Sequence, residues 1–308
     1  MTQFVYGKII EVDDKKRLIA LRDKRRIRRF YLARGLFAAF SAYLKPGIYI
    51  FLTCQVDPKR YHGSLVFSVV HIDKLMLPNR QQPQLFYDVS KIKSGIRTIL
   101  NRKRPKLFLD LEMSMPPYRN YEHFVSEIIQ AGLVLTDSEG NVLLTHSMFI
   151  RPMIYPKISD RTVRFLHLRQ EEIDNGISIE AFIELLKKIE GQHRPMIFVW
   201  GQNDQLELFR MNERVGGADF LHRMQFFDLL KLHKTYFGLK NDLGLFNAYN
   251  MYFEEPLDNQ RHDAFQDAEV TKAIFFGFKD VANGKKQVVL PNSTTPEEGN
   301  GHVEKTSQ

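Results

Sequence analysis

Cysteine is nearly missing from this chain: among 308 residues there is one, Cys54. A single thiol cannot close a disulfide within the chain, so a disulfide-stapled scaffold is excluded and a reducing, cytoplasmic setting is expected. Tryptophan is as scarce, with Trp200 alone. No apolar run approaches the roughly 20 residues that a membrane-spanning helix needs. The opening MTQFVYGKII has no basic stretch followed by an apolar one, so no secretory signal is expected. The chain is not poor in apolar residues, however. They make up 44% of it, enough for a sizeable core and against a largely disordered polymer.

Acidic residues are scarce at the front only. Residues 1–106 hold 23 Lys and Arg against 7 Asp and Glu, a net of +16. The other 202 residues carry a net of −8. A basic front on an acidic back points to nucleic acid or another polyanion as partner, against the plainer reading of a solvated basic surface. The run Lys24, Arg25, Arg26, Ile27, Arg28, Arg29 is the densest basic stretch and the candidate contact for phosphates.

Residues 1–75 read as a small barrel. Strands are expected over 6–12, 17–21 and 28–32, then a helix over 35–44 closed by Pro46 and Gly47, then strands over 48–56 and 64–72. Three strands, a helix and two strands is the order of the OB-fold, which often binds oligonucleotides. Phe30, Tyr31, Tyr61 and Phe67 lie among the basic residues, where they could stack bases or simply wall the barrel. Residues 76–105 read as a basic linker with a short helix over 90–100, ending at Pro105.

From residue 106 the periodicities lengthen. Strands are expected over 107–113, 124–136, 142–150 and 195–200, and helices over 179–189, 205–212, 243–252 and 264–281. Such a mixture predicts an α/β domain with a mixed sheet over 106–282. Residues 283–308 are polar, with Pro291 and Pro296, and read as a disordered tail.

Three short pieces carry candidate chemistry. In LFLDLEM (107–113) the alternation of a strand puts Asp110 and Glu112 on one face. Paired carboxylates are hard oxygen donors of the kind Mg²⁺ or Mn²⁺ prefers, though a solvated polar face reads the same way. In VWGQND (199–204) Asp204 follows a short apolar strand where a helix begins, a position that also suits a helix cap. In RHDAFQDA (261–268) His262 stands five residues before Asp267 at the opening of an apolar helix.

Asp-x-Glu on a first strand, an Asp after a later strand, and His-x4-Asp on a closing helix together resemble the DEDDh branch of the 3′–5′ exonuclease superfamily. The segments SEIIQAG (126–132) and LRQEEIDNGIS (168–178) are similar to those of its KapD-like and Eri-type exoribonucleases. The likeness covers residues 106–281. It implies an RNase H-like mixed sheet flanked by helices and hydrolysis with two Mg²⁺ or Mn²⁺ ions held by Asp110, Glu112, Asp204 and Asp267. It further implies His262 as general base and single-stranded nucleic acid as substrate, RNA before DNA. Met113 and Ser114, which follow the first acid pair where relatives commonly carry an aromatic residue and Thr, would meet the terminal nucleotide. A DNA-directed exonuclease and a catalytically silent RNA-binding module stay open as alternatives.

Overall fold

The computed structural model describes residues 1–23, 26–79, 81–119, 123–216, 220–239, 241–255, 257 and 262–288. The chain divides into two compact units, Met1–Gly95 and Ile96–Gln308.

The first unit is a closed strand ring. β1 (Thr2–Asp13), β2 (Leu18–Asp23) and β3 (Arg26–Tyr31) form an antiparallel meander. α1 (Arg34–Phe40) follows, shorter than the periodicity suggests, and Gly47 takes the positive φ (101°) that turns the chain back. β4 (Tyr49–Gln55) pairs with β1 on one side and with β6 (Ser64–Leu77) on the other, while the short β5 (Lys59–Tyr61) hairpins onto β6. β3 and β6 then pair in parallel at Phe30–Phe67 and Tyr31–Ser68, which closes the ring. Alternation fills the interior: Ile9, Leu21, Phe30, Ile50, Leu52 and Leu75 are almost fully buried, and Cys54 lies with them as a free thiol. The stretch expected to be a linker is more structured than its polar composition suggests. β7 (Gln84–Asp88) adds to β6, and Asp88 accepts from the Ser90 amide and hydroxyl as α2 (Val89–Leu100) starts.

The second unit is built on a five-stranded mixed sheet. β8 (Lys106–Met113), β9 (Ile128–Thr136) and β10 (Val142–Phe149) run antiparallel. Then come α3 (Asp160–Leu166), α4 (Gln170–Asp174) and α5 (Ile179–His193). β11 (Met196–Val199) joins β8 in parallel, α6 (Asn203–Arg214) and α7 (Phe220–Arg223) follow, and β12 (Gln225–Asp228) joins β11 in parallel. α8 (Leu229–Phe237), α9 (Leu245–Tyr249) and α10 (Ala264–Ala282) complete it. The strand order is β10-β9-β8-β11-β12. This is the RNase H-like mixed sheet with flanking helices.

Both faces of the sheet are covered, which is why β9 is buried along its whole length. Leu107, Leu109 and Leu111 of β8 pack with Phe182, Leu186 and Leu208 from α5 and α6. Phe108 points the other way, 5.4 Å from Phe275 of α10. The strand expected to start at residue 124 starts at Ile128, because the preceding segment is used otherwise: the buried Glu127 carboxylate accepts the amides of Met153, Ile154 and Tyr155 at 2.6–2.9 Å. α9 is shorter than the 243–252 expectation and passes into turns. Among the described residues no helix is long and apolar enough to cross a membrane. The tail expected over 283–308 falls outside the described residues from 289 onward.

Candidate active site

β8 delivers the first two carboxylates. Its alternation, fixed by Leu107, Leu109 and Leu111 on the opposite face, turns Asp110 and Glu112 toward α10. β9 prepares the ground beside them: Asp110 pairs with Gly132 and Glu112 with Gln130. A Cβ on Gly132 would lie 2.1 Å from the Ala264 carbonyl oxygen and 2.4 Å from the Phe265 nitrogen. Only glycine lets the first turn of α10 approach the sheet so closely. Gln130, nearly fully buried, completes the joint. Its Nε2 donates to Asp263 Oδ2 at 2.9 Å and its Oε1 accepts from the Ala264 amide at 3.4 Å. Asp263 also caps α10, accepting from the Phe265 and Gln266 amides. His262 and Asp267 flank this fixed first turn.

Asp204 arrives from the neighbouring strand. β11 pairs with β8 only as far as Phe108, and Gly201 (φ 101°) turns the chain into α6. The N-cap of that helix is Gln202, so Asp204 does not take the cap position that is its plainer alternative. The Asp204 carboxylate instead accepts the Leu111 amide at 3.2 Å, beyond the end of the strand pairing. Asp204 and Asp267 are each only 7% exposed.

The structure thus brings Asp110, Glu112, Asp204, His262 and Asp267 together. His262 Nδ1 lies 4.0 Å from Glu112 Oε1, and its ring stacks on Phe165 of α3 at 4.4 Å. One donor atom each from Glu112, His262 and Asp267 lies within 4.8 Å of the others. Burial and mutual repulsion raise the acids. Asp110 is held well above the usual carboxylate range by burial first, then by Asp204, Asp267 and Glu112. Glu112 is pushed up to about 8 by burial and then by Asp267, and Asp267 to about 7 by burial and then by Asp263. Asp204 is raised by burial, against the pull of the Leu111 hydrogen bond. Asp267 Oδ1 is buried and has no hydrogen-bond partner among the described residues. An unpaired buried carboxylate oxygen is costly, and a cation is what relieves it. Four hard carboxylates and an imidazole could hold a divalent metal ion.

Other expected site residues fall differently. Ser114 is buried, and its hydroxyl accepts the Glu127 amide at 3.0 Å, so it braces the loop after β8 from inside. Met113 is half-buried against the main core of the unit. Arg26, Arg28 and Arg29 sit on β3 of the first unit, Arg26 and Arg29 exposed and Arg28 over the Phe30 ring at 5.9 Å. Lys24 and Arg25 lie outside the described residues. Phe30 is fully buried in the core of the first unit. Gln130, Gly132, Asp263 and Phe165 are site residues that the sequence patterns do not single out. Asp263, just before an apolar helix, carries a cap signal, whereas the roles of the other three depend on contacts distant in sequence.

Residues 107–275 match the family model RNase_T, described as Exonuclease. The probable 3′–5′ exonuclease KapD of Bacillus subtilis (strain 168) is 28% identical over 190 residues, 61% of this chain and 90% of that one. The nuclease domain of 3′hExo, a DEDDh family member solved bound to rAMP, superposes with a TM-score of 0.51 at 14% identity. It covers 61% of this chain and 97% of its own, and that likeness speaks to the fold. Residues 1–106 lie outside the family match. With the family model spanning more than half of its length and the five site residues assembled on that fold, the chain belongs to the RNase_T exonuclease family.

Proposed function

We propose that this exonuclease shortens single-stranded nucleic acid from its 3′ hydroxyl end, RNA in preference to DNA, and releases nucleoside 5′-monophosphates. The observation that carries the reading is the buried acid cluster itself, with Asp267 Oδ1 lacking a donor among the described residues and Glu112 raised to about 8. Asp110, Glu112, Asp204 and Asp267 would hold two Mg²⁺ or Mn²⁺ ions. Such an ion pair supplies positive charge at the entering and leaving oxygens of an in-line displacement and lowers the pKa of water.

His262 is the general base. A histidine changes charge near neutral pH and is suited to take a proton from water there. The Phe165 ring, stacked at 4.4 Å, holds the imidazole at the edge of the acid cluster. As His262 takes the proton, the water oxygen bonds to the terminal phosphorus and the bond to the 3′ oxygen of the penultimate nucleotide breaks. Met113 and the backbone at Ser114 border the end nucleotide.

RNA is favoured by the likeness of 126–132 and 168–178 to exoribonuclease segments and by the rAMP bound in the superposed relative. The first unit supports the same reading. Its ring of five strands, with a helix between the third and fourth, has the OB-fold order. We read residues 1–75 as an OB-like basic domain, 76–105 as its linker, 106–282 as the exonuclease domain and 283–308 as a tail. The test is product analysis on 5′-labelled RNA and DNA of one sequence with Mn²⁺. Stepwise shortening with 5′-monophosphate products, faster on RNA, is expected. Faster shortening of DNA would move the reading to the DNA-directed alternative. Internal cuts or 3′-phosphate products would overturn it.

A further inference from the structure

We propose that the outer face of β1 and β4 in the first unit is a stacking platform for single-stranded nucleic acid, made by Phe4, Tyr6 and Phe51 with Lys8, Arg22 and Lys74 beside them. The inference rests on the substrate reading above but concerns a surface outside the family match. On β1, Val5 and Ile9 point into the barrel, so Phe4, Tyr6 and Lys8 point out. On β4, Ile50 and Leu52 point in and Phe51 points out. Tyr6 pairs directly with Phe51 across the strands. Their rings lie 5.5 Å apart and 16° from parallel, and Phe4 continues the row 6.3 Å from Phe51.

Cross-strand aromatic pairs stabilise sheets, yet here two of the three rings stay open to water: Phe4 is 59% and Tyr6 51% exposed. Contiguous exposed rings of this kind mark a binding surface. The charges beside them name the partner. Lys8 stands directly opposite Arg22 on β2, both exposed, and neither forms an ion pair among the described residues. Like charges placed opposite each other weaken a strand pair, and a polyanion lying over them reverses that cost. Lys74, opposite Phe51 on β6, sits 5.7 Å from its ring and 3.5 Å from Asp88. Asp73 is already engaged by His71 and Thr53. A row of flat rings bordered by cations takes unpaired bases by stacking and their phosphates by charge, without reading sequence. It takes single strands, because paired bases present no open faces.

The test uses the full chain with Asp110→Asn to stop hydrolysis, and fluorescence anisotropy of a labelled 12-nucleotide oligouridine. Phe4→Leu and Tyr6→Leu keep apolar bulk and remove the stacking ring. Each is expected to weaken binding on the order of tenfold. Tyr6→Phe, which keeps a ring, retains binding. Leu65→Ser, at another exposed apolar position of the unit, leaves affinity unchanged. Lys8→Gln with Arg22→Gln lowers the slope of log affinity against log salt by about 0.7 for each phosphate no longer neutralised. Thermal unfolding of each variant separates misfolding from a missing stacking ring, and a correctly folded Tyr6→Leu that binds as tightly as its parent overturns the proposal. If the parent binds and the ring variants do not, but the chain with Asp110 restored cuts nothing, the platform stands and the substrate reading falls. A parent that binds no single strand at low salt overturns the platform as well.

Discussion

Asp267 sits one turn into α10 with a buried oxygen that no group among the described residues satisfies. Burial and Asp263 hold its carboxyl up to about 7, so in metal-free protein at pH 8 the folded state carries an ionised group it disfavours. Asp267→Asn should therefore raise the metal-free thermal midpoint at pH 8 while lowering activity on the order of 100-fold or more. A variant with a lower midpoint would show that the carboxylate has a stabilising partner. The same ionisation sets a pH dependence. Glu112 (about 8) and Asp267 (about 7) hold protons that the unfolded chain releases near pH 4, so their contribution to stability falls as pH rises from about 4 to 8 and is level above that. A divalent ion competes with those same protons. The thermal shift between Mn²⁺ and EDTA should be larger at pH 8.5 than at pH 5.5, and an equal shift at both would contradict the cluster as the ion's site. Strand alternation puts Asp110 and Glu112 on one face, but it is the likeness of the three pieces together to a known exonuclease pattern that makes Asp110, Glu112, Asp204, His262 and Asp267 legible in the sequence. Phe165 is not, because its stacking on His262 joins positions 97 residues apart and no local pattern encodes that.

At the scale of elements, the site is a joint between β9 and α10. Gly132→Ala would put a methyl group 2.1 Å from the Ala264 carbonyl, so α10 must shift and carry His262 and Asp267 with it. Displacements near 1 Å can lower rates about 100-fold, and kcat should fall by that order. Gln130→Ala removes the side chain that grips Asp263 and Ala264. It should lower kcat with little change in KM, since the groups that meet the substrate remain. A pure KM effect would place Gln130 on the substrate path instead. β9 starts later than its composition suggests for a related reason. Phe124–Glu127 has the composition of a strand, but Glu127 is used to gather the Met153, Ile154 and Tyr155 amides. Glu127→Ala should cost on the order of 3 kcal/mol in denaturant unfolding, because three backbone amides lose the one buried carboxylate that accepts from them. β7 is hidden in a stretch rich in Gln and Pro, where pairing with β6 overrides weak local propensity.

At the scale of the whole molecule, charge separates the two parts of the chain, +16 over residues 1–106 and −8 beyond. That asymmetry, and the change from short strands to longer alternating elements, makes two units legible from composition alone. The closure of the first unit is not, since the β3–β6 pairing joins Phe30 to Phe67 across α1 and two strands. If the basic front grips phosphates, Arg26→Gln with Arg29→Gln should weaken binding to long single strands and flatten its salt dependence, by about 0.7 in log–log slope for each phosphate released. Unchanged slopes would make these arginines an ordinary solvated edge. The central claim is that the carboxylate cluster is a metal-dependent centre acting from the 3′ end. The most direct measurement incubates the purified chain with 5′-labelled single-stranded RNA in Mn²⁺ or in EDTA, beside Asp110→Asn. A ladder shortening from the 3′ end, present in Mn²⁺ and abolished by EDTA and by the substitution, is the predicted result. Shortening that persists in EDTA or in Asp110→Asn would contradict the claim.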